Sequence, residues 1–384
     1  MNKKLKVAVI GVGNIAESHI NGYLKNPNVE LYAFCDIREN RLKEMGEKYG
    51  VTRLYTDKDV MLKELPEIDA VSVCTWNSQH APCTIAALNA GKHVLCEKPM
   101  ATNAAEALEM KAAAEKAGKL LMIGFVRRYG NDCAILKDFI GADYFGDIYY
   151  AKATYLRRNG SPGGWFGDKN YSAGGPLIDL GVHVTDLTRY LLGNPKPVSV
   201  YGATFHKLGD RRELKDKKGY TASSATGKEE FNVEDLATAM IRYDNGSVVS
   251  IEASFSLNIK HDEGKIQLFG TKAGAMLNPE LEMYSTVNGY MADVNLCAPT
   301  ALSFDGLFEN EINHYVDCVL NGTACKSPAE DGVTLMKILD AIYESSARES
   351  VVLKVLFVCP FGLASSSVLM TRLSYALAEC TVIG

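Results

Sequence analysis

The sequence has no apolar run long enough to cross a membrane. A spanning helix needs about 20 consecutive apolar residues, whereas the longest uncharged run near the end, Val355–Thr371, is shorter and contains Pro360 and Gly362. The amino-terminal apolar run Val7–Ile10 is much shorter than the core of a secretory leader, and a glycine turn follows it. We therefore expect a protein that makes no membrane contact and stays in the cytoplasm.

The sequence also lacks an excess of basic charge. It carries 41 basic and 46 acidic residues, a net charge of −5, whereas nucleic-acid-binding domains are typically basic or carry a basic stripe. Its ten cysteines show none of the paired spacings that are typical of zinc sites. These absences argue against a nucleic-acid partner and a bound metal, and they favour reduced thiols that are mostly structural.

The first 125 residues alternate short apolar runs with amphipathic helical patterns. Strands are predicted at Leu5–Ile10, Val29–Asp36, Ala70–Thr75, His93–Glu97 and Leu120–Phe125. Helices are predicted at Ile15–Leu24, Glu39–Tyr49, Ala81–Ala90 and Ala104–Ala117. This α/β alternation predicts an amino-terminal Rossmann domain, residues 1–125, with a doubly wound parallel sheet whose strand carboxyl ends share one ligand-binding edge.

After residue 125 the rhythm changes to longer alternating strands, with a hairpin turn at Asp244-Asn245-Gly246. Strands are predicted at Ile148–Leu156, Val198–Phe205, Leu236–Tyr243, Ser247–Ser256 and Lys265–Phe269. Helices are predicted at Asp132–Ile140, Leu177–Leu192, Glu309–Leu320 and Gly332–Ser346. We expect a carboxy-terminal α+β domain, residues 126–353, on an open, mostly antiparallel sheet. The charged stretch Leu208–Glu230 is expected to be a loop, and residues 354–384 an atypical tail.

A glycine fingerprint follows the first strand and opens the first helix, in the segment Gly11-Val12-Gly13-Asn14-Ile15-Ala16. Gly11 permits a tight turn, Gly13 leaves room for a pyrophosphate, and Ala16 allows close packing of helix and strand. Asp36, at the end of the second strand, can accept hydrogen bonds from ribose hydroxyls, which favours NAD over NADP. Arg38 could instead accommodate a 2′-phosphate, and a helix-capping Asp36 beside a solvent-facing Arg38 remains the alternative.

Two further elements carry groups suited to catalysis. Lys98 follows a strand on the ligand-binding edge, where its ammonium can stabilise developing alkoxide charge. Asp179 and His183 lie four residues apart on one face of a predicted helix, and a histidine beside a carboxylate is suited to general-base chemistry. Asp186 could orient the ring instead. An exposed lysine and an ordinary polar helix face are the competing interpretations.

Taken together, these motifs resemble the glucose–fructose oxidoreductase and inositol dehydrogenase family, often called Gfo/Idh/MocA. The resemblance covers about Lys3 to Leu353 and rests on Gly11–Ala16, Cys74–Asn77 with His80, Glu97–Pro99, Gly124–Tyr129 and Gly174–His183. It implies an NAD-dependent dehydrogenase of sugars, cyclitols or glycosides. It also implies that the open sheet pairs face to face, in a homodimer or homotetramer.

The resemblance implies roles for individual residues. Lys98 would polarise the substrate oxygen, His183 would take the hydroxyl proton, and Asp179 would bind a neighbouring hydroxyl or tune His183. The expected cofactor-binding residues are Gly11, Gly13, Asn14, Ile15, Ala16, Asp36, Arg38, Thr75, Trp76, Asn77, His80, Glu97 and Lys98. The expected substrate-binding residues are Lys98, Arg128, Tyr129, Arg157, Trp165, Asp179 and His183. Trp76 departs from the proline of many relatives, and core packing is the alternative for both tryptophans.

Three other functions stay open on these residues. A non-catalytic dinucleotide-binding sensor would use the same fold, although Lys98 and His183 are both present. A glycoside-processing enzyme would oxidise a sugar transiently, cleave a bond and return the hydride. An NADPH-dependent reductase would prefer the phosphorylated cofactor in spite of Asp36.

Overall fold

A computed structural model describes residues 4–215, 220–277, 280–300 and 306–353. The predicted tail after residue 353 lies outside these residues. Within them, no helix is both long and apolar enough to span a bilayer.

The amino-terminal part forms a six-stranded parallel sheet with the strand order β3-β2-β1-β4-β5-β6. Its strands are β1 (Leu5–Ile10), β2 (Val29–Cys35), β3 (Leu54–Tyr55), β4 (Ala70–Val73), β5 (His93–Glu97) and β6 (Leu121–Gly124). Its helices are α1 (Asn14–Lys25), α2 (Glu39–Tyr49), α3 (Lys58–Glu64), α4 (His80–Asn89) and α5 (Ala104–Ala117). The order reverses at β1 and β4, so the crevice above their carboxyl ends is the expected ligand site. The predicted Rossmann fold is confirmed.

Two elements of this half, β3 and α3, are absent from the sequence prediction. β3 has only two residues, too few to show an alternating pattern. The start of α3 does have a signal, because Asp57 accepts hydrogen bonds from the backbone N–H groups of Asp59 at 2.7 Å and Val60 at 3.2 Å. This is the capping that aspartate typically provides at a helix start.

The carboxy-terminal part forms a nine-stranded sheet with the order β14-β13-β12-β11-β7-β10-β9-β8-β15. Its strands are β7 (Ile148–Leu156), β8 (Pro197–Phe205), β9 (Leu236–Tyr243), β10 (Val248–Ser254), β11 (Glu263–Gly270), β12 (Ala273–Leu277), β13 (Glu282–Val287), β14 (Tyr290–Val294) and β15 (Val352–Leu353). β7 and β10 pair in parallel, and the other neighbours pair antiparallel. The predicted mostly antiparallel sheet is confirmed.

Five further helices complete the described fold. They are α6 (Asn131–Gly141), α7 (Lys169–Ser172), α8 (Val182–Leu191), α9 (Leu307–Asn321) and α10 (Ala329–Arg348). α8 and α10 bury one face of the large sheet, whereas Tyr201 and Met240 are exposed on its strands. α9 returns to the first domain, where Ile312, Tyr315 and Val316 join the apolar cluster beneath β1. Helix α9 thus packs residues from near the end of the described chain against β1 of the first domain.

Candidate functional site

The fingerprint loop after β1 forms the floor of a cavity of about 360 Å³. Gly11 has φ +84°, and a Cβ there would lie 2.7 Å from the carbonyl oxygen of Cys74, so only glycine fits this turn. A Cβ on Gly13 would meet no protein atom closer than 4.0 Å, which leaves that space open toward the cavity. Ala16 does not line the cavity and is fully buried against the sheet.

Several polar atoms at this cavity have no hydrogen-bond partner among the residues that the structure describes. Thr75 Oγ1, Trp76 Nε1 and Ser224 Oγ are buried and unpaired, and all three residues line the cavity wall. Buried donors and acceptors without partners are costly. A ligand rich in hydroxyl, amide and phosphate groups would satisfy them, so the residues present fit a dinucleotide.

Asp36 is fixed by the loop that it faces. Its carboxylate accepts the backbone N–H of Val12 at 2.9 Å and that of Arg38 at 2.9 Å. The Arg38 guanidinium, 43% exposed, lies 3.3 Å from the same carboxylate. Both residues line the cavity. A ribose bound here would therefore lie beside both the carboxylate and the guanidinium.

A second cavity of about 500 Å³ adjoins the first and contains the predicted catalytic residues. Lys98 Nζ donates to Asp179 Oδ1 and to the Asp179 carbonyl oxygen, each at 3.0 Å, and both side chains are largely buried. His183 lines the same wall one helical turn beyond Asp179. The structure thus brings together three residues that are separated by up to 85 positions in sequence.

His183 is held in its neutral form. Burial, followed by the positive charges of Lys98, Arg127 and Arg157, lowers the pKa of His183 well below its ordinary value. A neutral imidazole can accept a proton, which is the state that a general base needs. Asp186, the other carboxylate considered for orienting the ring, pairs with Arg128 instead, at 2.6 and 2.9 Å.

The helix that carries Asp179 and His183 begins with a wide turn, Leu177–Gly181, in which the backbone bonds are of the π type. Glu234 closes its start, because its carboxylate accepts the N–H groups of Gly175 at 2.9 Å and Leu177 at 3.2 Å. Tyr343 donates to the same carboxylate at 2.8 Å. A carboxylate at a helix start is favoured by the helix dipole, so Glu234 positions Asp179 and His183.

The segment around Lys98 is braced from below by buried side chains. Glu97 accepts from the Lys98 N–H at 3.0 Å and lies 2.9 Å from His19 Nε2. Burial raises the pKa of Glu97, but the His19 hydrogen bond and the charges of His19 and Lys98 outweigh burial and lower it below the ordinary value. His80 Nδ1 lies 2.7 Å from the Pro99 carbonyl oxygen, and its Nε2 lies 3.1 Å from that of Thr75. Four residues expected at the cofactor line the second cavity rather than the first: Asn77, His80, Glu97 and Lys98.

Glu311 lies in the same buried cluster as His19 and Glu97. Both of its carboxylate oxygens are buried and have no hydrogen-bond partner in the described part of the chain. Burial, reinforced by the charge of Glu97, raises the pKa of Glu311 well above its ordinary value. The surroundings of Glu311 therefore favour its protonated, neutral form.

The structure does not bring Arg128 or Tyr129 to either cavity, which corrects the expectation that they contact substrate. The Arg128 side chain is fully buried and bonds Asp186, Asp331 and the Lys326 carbonyl. The Tyr129 hydroxyl lies 3.1 Å from Ser327 Oγ. Each of the three guanidinium nitrogens of Arg128 donates to a scaffold oxygen.

Arg157 and Trp165, the other predicted substrate contacts, do line the second cavity. Sequence reasoning missed Arg127, Phe166, Tyr220 and Phe308, which line it too. The Gly124–Tyr129 segment gave a signal for an arginine, but its periodicity could not distinguish position 127 from 128. Tyr220 gave no signal, because it lies in a polar loop that shows no recognisable motif. Its hydroxyl oxygen accepts a hydrogen bond from Asn14 Nδ2 at 3.1 Å.

Comparison with known proteins places the chain among oxidoreductases. Residues 5–125 match the model described as "Oxidoreductase family, NAD-binding Rossmann fold", and residues 134–276 match "GFO/IDH/MocA C-terminal domain". D-glucoside 3-dehydrogenase of Escherichia coli K12 is 33% identical over 345 residues, covering 89% of this chain and 95% of its own.

Myo-inositol 2-dehydrogenase of Thermotoga maritima is 30% identical over 268 residues, covering 70% of this chain and 73% of its own. A solved structure of levoglucosan dehydrogenase in complex with NADH shares the fold, with a TM-score of 0.80 at 24% identity over 91% of this chain and 99% of that one. The glycine fingerprint, the lysine after β5 and the Asp–His helix lie in the matched regions. The chain belongs to the Gfo/Idh/MocA family of NAD-binding oxidoreductases.

Proposed function

We propose that the chain transfers a hydride between NAD and a carbinol carbon of a sugar, cyclitol or glycoside. The observation that carries this proposal is the placement of Lys98, Asp179 and His183 in one cavity that opens onto the dinucleotide cavity. Lys98 Nζ lies 3.0 Å from Asp179. A cation and a neutral imidazole around one oxygen suit the interconversion of alcohol and carbonyl.

Bound NAD would supply the hydride acceptor, and the chain's own residues would handle the oxygen and its proton. Lys98 would donate a hydrogen bond to the substrate oxygen and stabilise the negative charge that develops there. His183 would accept the hydroxyl proton, because its pKa is lowered and the ring starts out neutral. Asp179 would hold the Lys98 ammonium over the substrate through the 3.0 Å contact.

The proposed cofactor site comprises the first cavity with its fingerprint loop. Gly11, Gly13, Asn14 and Ile15 would surround the pyrophosphate, whose charge is favoured at the start of α1. Asp36 would accept from the adenosine ribose and disfavour a 2′-phosphate, so NAD would be preferred over NADP. Thr75 and Trp76 would contact the nicotinamide half.

The second cavity favours a pyranoside-sized substrate. Its volume of about 500 Å³ is within the range of small-molecule sites. Trp165, Phe166 and Phe308 offer apolar faces for sugar C–H groups, and Arg127 and Arg157 offer donors for hydroxyls. Since D-glucoside 3-dehydrogenase is 33% identical over most of the chain, we propose a glucoside as the first substrate to try.

The test is a panel of glucosides, free sugars and cyclitols with NAD or NADP, followed by the absorbance of the reduced cofactor and by chromatography of the sugar. Substrate-dependent formation of NADH, lost in Lys98→Ala and His183→Ala but kept in the control Lys116→Ala, is the expected result. Lys116 is exposed on α5, away from both cavities. Glycosidic cleavage without net NADH would favour the glycoside-processing alternative, and cofactor binding with no turnover would favour a sensor.

We further propose a cytoplasmic homodimer or homotetramer with domains at 1–125 and 126–353. The exposed apolar side chains on the outer face of the large sheet support an interface there, and they include Val198, Tyr201, Phe205 and Met240. The described cysteines are all free, which suits a reducing compartment. Light scattering of the purified chain would measure the assembly.

A further inference from the structure

Three potential metal ligands meet at the carboxyl end of α9, away from both cavities. His314 and Cys318 lie four residues apart and share one face of the helix. The helix ends at Gly322, whose φ of +70° turns the chain back, so that Cys325 rejoins the same face. One ring nitrogen of His314 and the sulfur atoms of Cys318 and Cys325 all lie within 4.8 Å of one another.

The separations are close to those of a tetrahedral zinc site. Zinc bonds of about 2.3 Å to sulfur and 2.0–2.1 Å to nitrogen imply ligand separations of about 3.6 Å between sulfur and nitrogen and about 3.8 Å between two sulfurs. Cys318 Sγ lies 3.3 Å from His314 Nε2. The remaining separations are within 4.8 Å, so each pair of ligand atoms would need to close by no more than about 1.2 Å to reach the tetrahedral values.

The imidazole already has the tautomer that a metal needs. The backbone N–H of Lys326 donates to His314 Nε2 at 3.0 Å, so this nitrogen carries no proton. That lone pair is engaged by the Lys326 N–H, and Cys318 Sγ lies 3.3 Å from the same nitrogen. A cation would replace the weak S–H contact and the Lys326 hydrogen bond with a coordinate bond.

We propose that His314, Cys318 and Cys325 bind one soft divalent cation of the zinc class, with water in the fourth position. Two thiolates and one imidazole favour zinc over magnesium or calcium, which prefer oxygen ligands. This proposal departs from the expectation of no metal site, because the spacing of these residues is irregular and only the turn at Gly322 brings them together. It does not depend on the proposed function.

The cation would tie the segment after α9 to the helix. That segment supports the scaffold behind helix α8, since the Lys326 carbonyl accepts from Arg128 at 2.6 Å and Ser327 Oγ lies 3.1 Å from the Tyr129 hydroxyl. Because the cation would bind the folded chain through groups that are dispersed on unfolding, zinc should raise the melting temperature.

The test titrates the reduced, metal-free full chain with Co²⁺, whose visible bands report tetrahedral thiolate coordination, and then displaces it with Zn²⁺. One equivalent should bind. Loss of a group that only hydrogen-bonds to a metal ligand weakens metal binding by about 10- to 100-fold, so loss of a ligand itself in Cys318→Ser, Cys325→Ser or His314→Gln should weaken Zn²⁺ binding at least about tenfold. Cys297→Ser is the matched control, because Cys297 is an exposed thiol outside the cluster.

A second measurement needs no variant. Zn²⁺ should protect Cys318 and Cys325, but not Cys297, from alkylation by iodoacetamide, as read by peptide mass spectrometry of the wild-type chain. Cobalt binding without thiolate bands, binding that survives both cysteine variants, or alkylation of Cys318 and Cys325 that zinc does not slow would each overturn the proposal.

Discussion

Replacing Arg128 by methionine should destabilise the chain by about 4 kcal/mol at pH 7. The substitution keeps an unbranched apolar side chain but removes both bonds to Asp186, at 2.6 and 2.9 Å, the 2.8 Å bond to Asp331 and the 2.6 Å bond to the Lys326 carbonyl. Asp331 keeps Arg189 at 3.0 Å, whereas Asp186 is left buried without a cation. It must then take up a proton, which costs about 4 kcal/mol at pH 7 for a carboxyl of ordinary pKa near 3.9. Breaking a buried pair typically costs about 3–5 kcal/mol, which agrees.

The pH dependence separates this explanation from simple loss of packing. Burial raises the pKa of Asp186 even with Arg128 present, and loss of that cation raises it further, so the stability of the folded variant is retained at low pH and lost as the pH rises. The deficit should fall to about 1.5 kcal/mol at pH 5, because each pH unit is worth about 1.4 kcal/mol. Urea denaturation followed by circular dichroism at pH 5, 6 and 7 measures it.

A rescue variant makes the test sharper. Arg128→Met with Asp186→Asn should recover part of the lost stability, because a neutral amide needs no buried cation. Stability within about 1 kcal/mol of wild type, together with a raised KM for the sugar, would refute the scaffold role and restore Arg128 as a substrate contact.

Three further predictions concern the site. His183→Ala and Lys98→Met should lower kcat by about 10²–10⁴ with little change in NADH affinity, measured by steady-state kinetics and fluorescence titration; parallel losses in binding would contradict the assignment. Asp36→Ser should reduce the preference for NAD over NADP by at least about tenfold, or 1.4 kcal/mol, since Arg38 remains to bind a 2′-phosphate. The preference is the ratio of kcat/KM with NAD to kcat/KM with NADP, and an unchanged ratio would contradict the role of Asp36. Glu311→Gln should stabilise the chain increasingly above pH 4.3 or so, because the wild type must retain a proton on a carboxyl of raised pKa; superimposable melting curves across pH 5–8 would contradict a protonated Glu311.

Local signals predicted the elements that carry the chemistry. The Gly11 turn, the strand before Lys98 and the helix with Asp179 and His183 each depend on short-range patterns of apolar spacing and turn residues. Strands β7 and β9 and helices α2 and α5 have the predicted bounds. Parallel strands in this order leave only one edge where Lys98 could meet the fingerprint loop, so the site followed from the topology.

Long-range pairing could not be predicted in the same way. Arg128 meets Asp331 across 203 residues and Lys326 across 198, and nothing in the local pattern separates Arg128 from Arg127. The return of α9 to the first domain was equally invisible, because its amphipathic face would suit either sheet. Glu234 gave no signal either, since a carboxylate that caps a helix 59 residues earlier looks like part of a charged loop.

Two adjacent carboxylates, Glu234 and Asp235, hold two different segments that border the site. Glu234 caps the start of the helix that carries His183. Asp235 accepts from the backbone N–H groups of Lys207, Leu208 and Gly209, and its own N–H donates to the carbonyl oxygen of Phe205. The two ends of the loop that carries Tyr220 are therefore clamped together. Doubling the length of such a loop costs only about 0.6 kcal/mol in closure entropy. Insertions in the loop that carries Tyr220 could thus change the shape of the second cavity without displacing His183.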